Sequence, residues 1–362
     1  MRDMRLLRMR WSDYEFSSIA APFPIEFIPF PASYPDPAYL PIPNRGTALV
    51  SDEIDRELVK HEVPSEVAEE PYRLPRLLKA SAPYVLPVCN HGRLIFNGKV
   101  IGMHSDPLPA DSQLATPIRL QVARFFDSQC SNEMCSLRIR HRATGEEFDP
   151  RQNLLTNANG HLCTLAESML ADVVGVSTLA MTADGALVLV NQSSRNVASA
   201  LLLAPSGSGS LDPRDLGQGR TGILQDILRR GMERELCEET GIRPDEIRNT
   251  TVVGFARWLE RGAKPEFFGL TELSATTADF AGHRHLASDE RLYSGGTLTL
   301  RIDLDVLGRE LEEGAELLTA PGLPRRIRED GSLPLLLALR AAALWRAGPA
   351  AGDHAPGEPR AG

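Results

Sequence analysis

The sequence predicts a mixed α+β to α/β protein, with helices and strands interleaved along two successive regions. Three observations predict it. The stretch 223–242, ILQDILRRGMERELCEETGI, repeats apolar residues at helical spacing. Short β-rich runs bounded by turn residues stand on both sides of it. Hydrophobic residues make up 42% of the 362 and charged residues 24%, the balance of an ordinary globular chain rather than a disordered or fibrous one.

The helix organises the rest. Leu224, Ile227, Leu228, Met232 and Leu236 give it one apolar face that should pack into a core. Gly241 stands where a helix commonly ends in a left-handed residue. Glu235, Glu238 and Glu239 follow at steps of three and four, so at about 3.6 residues per turn all three project from one side. Like charges at that spacing cost stability unless a cation sits among them. Mg²⁺ favours oxygen ligands and is usually held by a few carboxylates plus substrate phosphates, which makes these three glutamates the candidate metal ligands. Arg234 can pair with Glu238, four residues on, and so fix the carboxylate geometry. The bland alternative is a solvated acidic helix end.

Residues 234–242 fit Arg-Glu-aliphatic-any-Glu-Glu-any-Gly-aliphatic, the second half of the Nudix box, and on this motif the chain resembles the Nudix hydrolase family. The box covers about twenty residues, with compatible surroundings over 172–348. Its first half departs from the pattern: the family's Glu is Asp226 here, and its Gly falls on Arg220, flanked by Gly219 and Gly222. The resemblance implies an α/β/α sandwich with a mixed sheet. It implies hydrolysis of a diphosphate linkage in a nucleoside diphosphate derivative, dependent on Mg²⁺ or Mn²⁺. Arg234 and Glu235 would then be catalytic, with Glu235, Glu238 and Glu239 on the metal. Many members add a downstream carboxylate as base; Glu266 is the first candidate, ahead of Glu260 and Glu272. Asp226 is expected either to brace the loop or to contact the ion. Gly231, costly inside a helix, points to tight packing. The degenerate first half also fits a second reading, a nucleotide-sensing module that binds without cleaving and signals to the N-terminal region.

Around the box, 172–181 and 186–190 read as strands joined at Ala183-Asp184-Gly185, with a further strand at 197–203. The Gly-Ser run 205–210 is either a plain linker or a loop whose glycines let backbone amides approach phosphate oxygens. Strands follow at 250–258, 266–273 and 297–303, then helices at 307–318 and 333–345. Upstream, 51–63 reads as a helix, Asn97-Gly98 as a hairpin turn, 119–126 and 136–141 as strands, and 161–170 as a short helix. The expected division is therefore a Pro- and aromatic-rich extended arm at 1–48, an α+β domain of unassigned role at 49–170, the Nudix-like domain at 171–348 and a disordered tail at 349–362. The arm, with too many prolines for regular structure, should lie over its own chain or over the mate in a homodimer.

A net charge of -9 argues against a general nucleic-acid phosphate binder. No apolar run approaches the ~18 residues of a membrane span. The basic start, MRDMRLLRMRW, lacks the pattern of a signal peptide, and five cysteines, an odd number, point to reduced thiols in the cytoplasm. Cys89-Asn-His91 with Cys130 and Cys135 offers only a loose zinc set, so free thiols are expected. His283-Arg284-His285 could reach a phosphate, although histidines in a polar loop usually have no special role.

Overall fold

The computed structural model describes residues 10–18, 28–90, 96–108, 116–192, 202–280 and 294–348. Among the described residues the first strands are β1 (Tyr14–Ser18), β2 (Pro37–Ile42) and β3 (Gly46–Ser51), then come helix α1 (Asp52–Lys60) and β4 (Pro64–Val67). Helices α2 (Arg76–Lys79) and α3 (Ala82–Asn90) precede β5 (Lys99–Met103) and β6 (Ile118–Arg124). Helix α4 (Phe125–Gln129), β7 (Leu137–His141), β8 (Glu147–Phe148) and α5 (Pro150–Leu154) follow. Strands β9 (Gly175–Met181), β10 (Leu187–Gln192), β11 (Leu203–Ala204), β12 (Gly207–Ser210) and β13 (Thr221–Ile223) lead into α6 (Leu224–Thr240). Beyond it come β14 (Ile247–Trp258), β15 (Lys264–Leu273), β16 (Ser294–Leu300), α7 (Leu304–Glu312), α8 (Arg325–Asp330) and α9 (Leu333–Ala347).

The main sheet runs β11-β10-β9-β15-β14-β3-β2, with β12 also on β9 and β16 on β10. It is mixed, because β15 pairs with β9 in parallel while its other neighbour, β14, is antiparallel. Strands β9 and β15 are buried along nearly their whole length, as expected of central strands covered on both faces. One face carries α6, whose Leu224, Ile227, Leu228 and Met232 share a core with Val176, Val252 and Phe267. The other carries α7 and α9, whose leucines and alanines pack with Leu179, Phe268 and Leu270. Successive strand residues point to opposite faces, so Phe267 and Phe268 serve different layers. Helix α9 is apolar nearly all round, and Ser332 caps it by accepting a hydrogen bond from the Leu335 N–H. The layering is helix, mixed sheet, helix. The strands at 175–192, joined through Gly185 at φ 81°, and at 247–258, 264–273 and 294–300 lie close to where the sequence puts them.

The upstream half is α+β as expected, with α1, β6 and β7 close to where the sequence puts them, but it departs from expectation elsewhere. The segment expected to be an irregular arm supplies β2 and β3, and β3 adds to the main sheet by pairing Ala48 with Trp258. Pro37 and Pro41 are tolerated because β2 is an edge strand, where a missing N–H interrupts no ladder. The sheets do not divide at residue 170 either. A second sheet, β13-β4-β6-β5, takes β13 from beside α6 and the rest from upstream, while β1, β7 and β8 form a third. Neither Asn97 nor Gly98 has the positive φ of the expected hairpin turn; β5 pairs with β6, and Asn97 Oδ1 accepts the Phe126 N–H. No helix forms over 161–170, where Glu167 closes a turn on the Thr164 N–H. Helix α7 stops at Glu312, short of its expected end, with Gly314 at φ 95° turning the chain. Among the described residues no helix is long and apolar enough to cross a membrane. Residues 349–362 and most of 197–203 lie outside the described residues.

Candidate functional site

Helix α6 starts as β13 ends at Ile223 and stops at Gly241, whose φ of 69° and N–H bond to the Cys237 carbonyl close the last turn. Gly231 is required by packing: a Cβ there would stand 2.5 Å from Leu211 Cδ2 and 3.2 Å from Asp215 Oδ2. The segment reaching the helix at that point is the one that follows β12. The Gly-Ser run is neither a free linker nor an open loop. It is β12, paired along β9 and laid against α6. A Cβ on Gly207 would fall 2.4 Å from the backbone nitrogen of Leu236, and one on Gly209 would fall 2.1 Å from Glu235 Oε1. Two glycines at alternate positions thus let a strand edge meet the acidic end of a helix.

Arg234 is the hub of the site. Its Nε and Nη2 donate side by side to Asp215 Oδ1 and Oδ2, at 3.0 and 2.9 Å. Nη2 also donates to the Ser210 carbonyl at 2.9 Å. Nη1 donates to Glu235 Oε1 at 2.8 Å and to Glu238 Oε2 at 3.2 Å. Burial works against the charge on this guanidinium, but the bonds to Asp215 and the nearby carboxylates outweigh it and raise its pKa above the ordinary arginine value. Asp215 belongs to a tight turn in which Asp212 accepts the Arg214 N–H and Asp215 accepts the Asp212 N–H. Arg230, one helical turn before Arg234, donates to the carbonyls of Asp215 and Leu216 and ties the same turn down.

The three glutamates share one side of α6 but do not converge. Glu235 faces Gly209, Glu238 is partly exposed with Arg214 3.8 Å away, and Glu239 Oε2 accepts the Ser208 N–H at 3.0 Å. Among the described residues no set of three or more His, Cys, Asp or Glu side chains is gathered closely enough to hold a metal ion. The expected ready cluster is therefore absent from this arrangement, since Arg234 stands between Glu235 and Glu238. In chemistry the donor set still fits a divalent cation: three hard carboxylates border a strand whose two glycines leave the backbone bare.

Other expected residues are placed elsewhere. Glu266 does not join the box. It follows the register of Gly175 on β9, on the face opposite Phe267 and α6, and pairs with Lys264 Nζ at 2.9 Å. Both side chains are buried, and burial, the largest influence, lowers the Lys264 pKa. Gly175 makes the room, since a Cβ there would lie 1.8 Å from Glu266 Oε2. Glu260 caps the start of β3 through the Thr47 N–H, and Glu272 lies near the far end of β15. Asp226 is half exposed and paired with Arg229, so it neither braces the loop nor meets the carboxylates. Arg220, at the family's Gly position, is anchored on the Val67 carbonyl at the end of β4 and on Glu69 just beyond it. Cys89, Cys130 and Cys135 are free, buried thiols, and burial pushes the first two up to about 12. His91 and His283 to His285 lie outside the described residues.

Asp215 was the residue that the motif spacing missed. Its signal was the Asp212-Pro213-Arg214-Asp215 turn, a pair of acids three apart around a proline, which announces a capped turn but not its partner.

No protein-family model and no curated protein matches the chain. Among solved structures it is similar to a Nudix hydrolase from Nitrosomonas europaea, at 19% identity over 44% of this chain and 86% of that one, TM-score 0.25. It is likewise similar to the MutT protein of Methanosarcina mazei Go1, at 17% over 44% and 89%, TM-score 0.26. A Deinococcus radiodurans protein gives 15% over 45% and 89%, TM-score 0.26. Each likeness covers less than half of this chain, and at these TM-scores no weight rests on it. The chain's own layers and the box motif on α6 give it a Nudix-like α/β/α fold.

Proposed function

We propose that this chain is a Nudix-type hydrolase that cleaves a diphosphate linkage in a nucleoside diphosphate derivative, with Mg²⁺ held by Glu235, Glu238 and Glu239. The observation that carries the reading is the lock on Arg234. Two carboxylate oxygens of Asp215 fix the guanidinium, and its free edge then orients Glu235 and Glu238. A solvated acidic helix end needs no such device. When bound, a divalent cation supplies neutralisation of phosphate charge and a lowered pKa for a water molecule. The chain's own part is positional. Arg234 aims two carboxylates, the Ser208 N–H aims the third, and Gly207 and Gly209 keep side chains out of the way. Glu266 is left out of the chemistry because it faces the other layer, so a proton acceptor belongs among the box glutamates or outside the described residues.

The test is product release from a panel of sugar nucleotides, ADP-ribose, dinucleotides and oxidised nucleoside triphosphates with Mg²⁺, comparing the wild type with Glu239→Gln. Turnover of at least one compound by the wild type, reduced about 100-fold or more in the variant, is the expected result. Binding without turnover in both proteins would replace the hydrolase with the nucleotide-sensing module.

A further inference from the structure

A groove of about 680 Å³ lies over the second sheet, and none of its lining residues comes from α6 or β12. Its charged walls are Arg73, Arg76, Lys79, Lys99, Arg124 and Asp127. Five cations thus face one carboxylate, in a chain whose net charge is -9.

The cations are placed where they repel. Lys99 and Arg124 are direct partners in the antiparallel β5–β6 ladder, so both side chains, exposed to solvent, stand on one face as like charges, a mildly unfavourable arrangement that salt screens. Arg76 and Lys79 are three apart on α2 and share a side of it. The one carboxylate offsets little of this. Asp127 is half-buried and already accepts the Arg124 N–H at 2.9 Å. Burial raises its pKa, against that hydrogen bond and the charges of Arg124 and Lys79. Arg73 has Glu70 as a partner, but both are widely exposed, where such a pair contributes little. The floor is Val122 and Ala123, whose strand backbone is occupied in part by the Tyr72 N–H on the Val122 carbonyl.

We propose that this groove binds a compact phosphate-bearing small molecule, one with two or more adjacent phosphate groups. Like-charged pairs facing one another across an open groove are relieved by a polyanion that bridges them. The volume lies within the roughly 300–1,000 Å³ of small-molecule sites. A nucleic acid is disfavoured because the remaining charge of the chain is strongly acidic, with these five cations lining one groove. The site is independent of the hydrolase reading, and either can fail alone.

The experiment is calorimetric titration of the full chain with inorganic tripolyphosphate in EDTA, which withholds any divalent cation from the box glutamates. One-site binding that weakens as salt rises is expected, unchanged in Glu239→Gln and at least 30-fold weaker in a Lys99→Glu/Arg124→Glu double variant. Because charge reversal can disturb the β5–β6 ladder, a Lys99→Gln/Arg124→Gln variant accompanies it. This pair should melt no lower than the wild type without ligand and gain less from tripolyphosphate. ATP binding more tightly than tripolyphosphate identifies a nucleotide as the occupant, and equal affinity identifies the phosphate chain alone; both support the site. No binding at millimolar tripolyphosphate, equal binding by the double variants, or a clear preference for a single-stranded oligonucleotide over tripolyphosphate at equal phosphate concentration overturns it.

Discussion

Asp215 and Arg234 meet edge to edge, two parallel hydrogen bonds of 3.0 and 2.9 Å joining the turn after β12 to the acidic end of α6. The Asp215 side chain is 3% exposed and that of Arg234 15%, so the pair is shielded from solvent. A planar guanidinium fixed along one edge can present only its other edge, and that edge reaches Glu235 and Glu238. The residue that holds the box arginine is thus set by the packing of a turn and not by distance along the chain.

Removing Asp215 should be costly, and removing Asp226 should not. Asp215→Ala leaves a mostly buried guanidinium without its main partner, for an expected loss of about 3 kcal/mol in urea unfolding. Asp226→Ala breaks only an exposed i,i+3 pair with Arg229 and should cost under about 0.5 kcal/mol. Equal losses in the two variants would remove the bracing role assigned to Asp215.

The two glycines of β12 should respond differently to alanine. At Gly207 the added Cβ meets helix backbone at 2.4 Å, which cannot swing aside, so Gly207→Ala should lower stability by about 2 kcal/mol or more. At Gly209 it meets the end of the Glu235 side chain, which can rotate away. Gly209→Ala should therefore melt within a few degrees of the wild type while hydrolysis falls at least tenfold. Full activity in Gly209→Ala would mean that the position of Glu235 has no bearing on turnover.

Helix α6 was legible because its signals are local: an apolar stripe from Leu224 to Leu236, a terminal glycine and a motif of nine consecutive residues. The β9–β10 hairpin was legible for the same reason, through Asp184 and Gly185. What the sequence did not disclose depends on contacts between distant residues. Pro37 and Pro41 argue against a strand until β2 is known to be an edge, and that follows only from Ala48 pairing with Trp258. Glu266 reads as a site carboxylate until register assigns it to the face opposite α6. Asp226 sits at the motif's spacing, yet the segment between β12 and α6 carries Asp215 to Arg234 instead.

Asp55 should make stability depend on pH in a definite direction. Burial, opposed by the Phe255 N–H and Arg340, raises its carboxyl pKa to about 7. A carboxyl whose folded pKa is raised binds more protons when folded, so its contribution falls as pH rises from about 4, the unfolded value, to about 7. Asn at this position keeps an oxygen to accept the Phe255 N–H, found here at 2.7 Å, and carries no charge. The unfolding free energy of Asp55→Asn minus that of the wild type should grow between pH 4 and pH 7 and level off above, by up to about 4 kcal/mol over that window. A difference independent of pH would show that Asp55 is ionised throughout that range.

Glu266 and Lys264 form a buried pair, and the two residues should behave as one unit of structure rather than as part of the chemistry. Glu266→Gln strands the lysine charge between the sheet and its covering layer, at a cost of about 3 kcal/mol. Adding Lys264→Met removes the stranded charge, so the double variant should recover most of the loss even though it lacks both ionic groups. A Glu266 acting as base predicts the same stability pattern, since the lysine is stranded either way, but with turnover per folded molecule down about 100-fold in both variants, because no packing repair restores a missing proton acceptor. Urea unfolding and initial rates at low temperature, measured on the same preparations, separate the two patterns. Unfolding that tracks the lysine, with rates per folded molecule within about threefold of wild type, keeps Glu266 in the scaffold and leaves hydrolysis to α6.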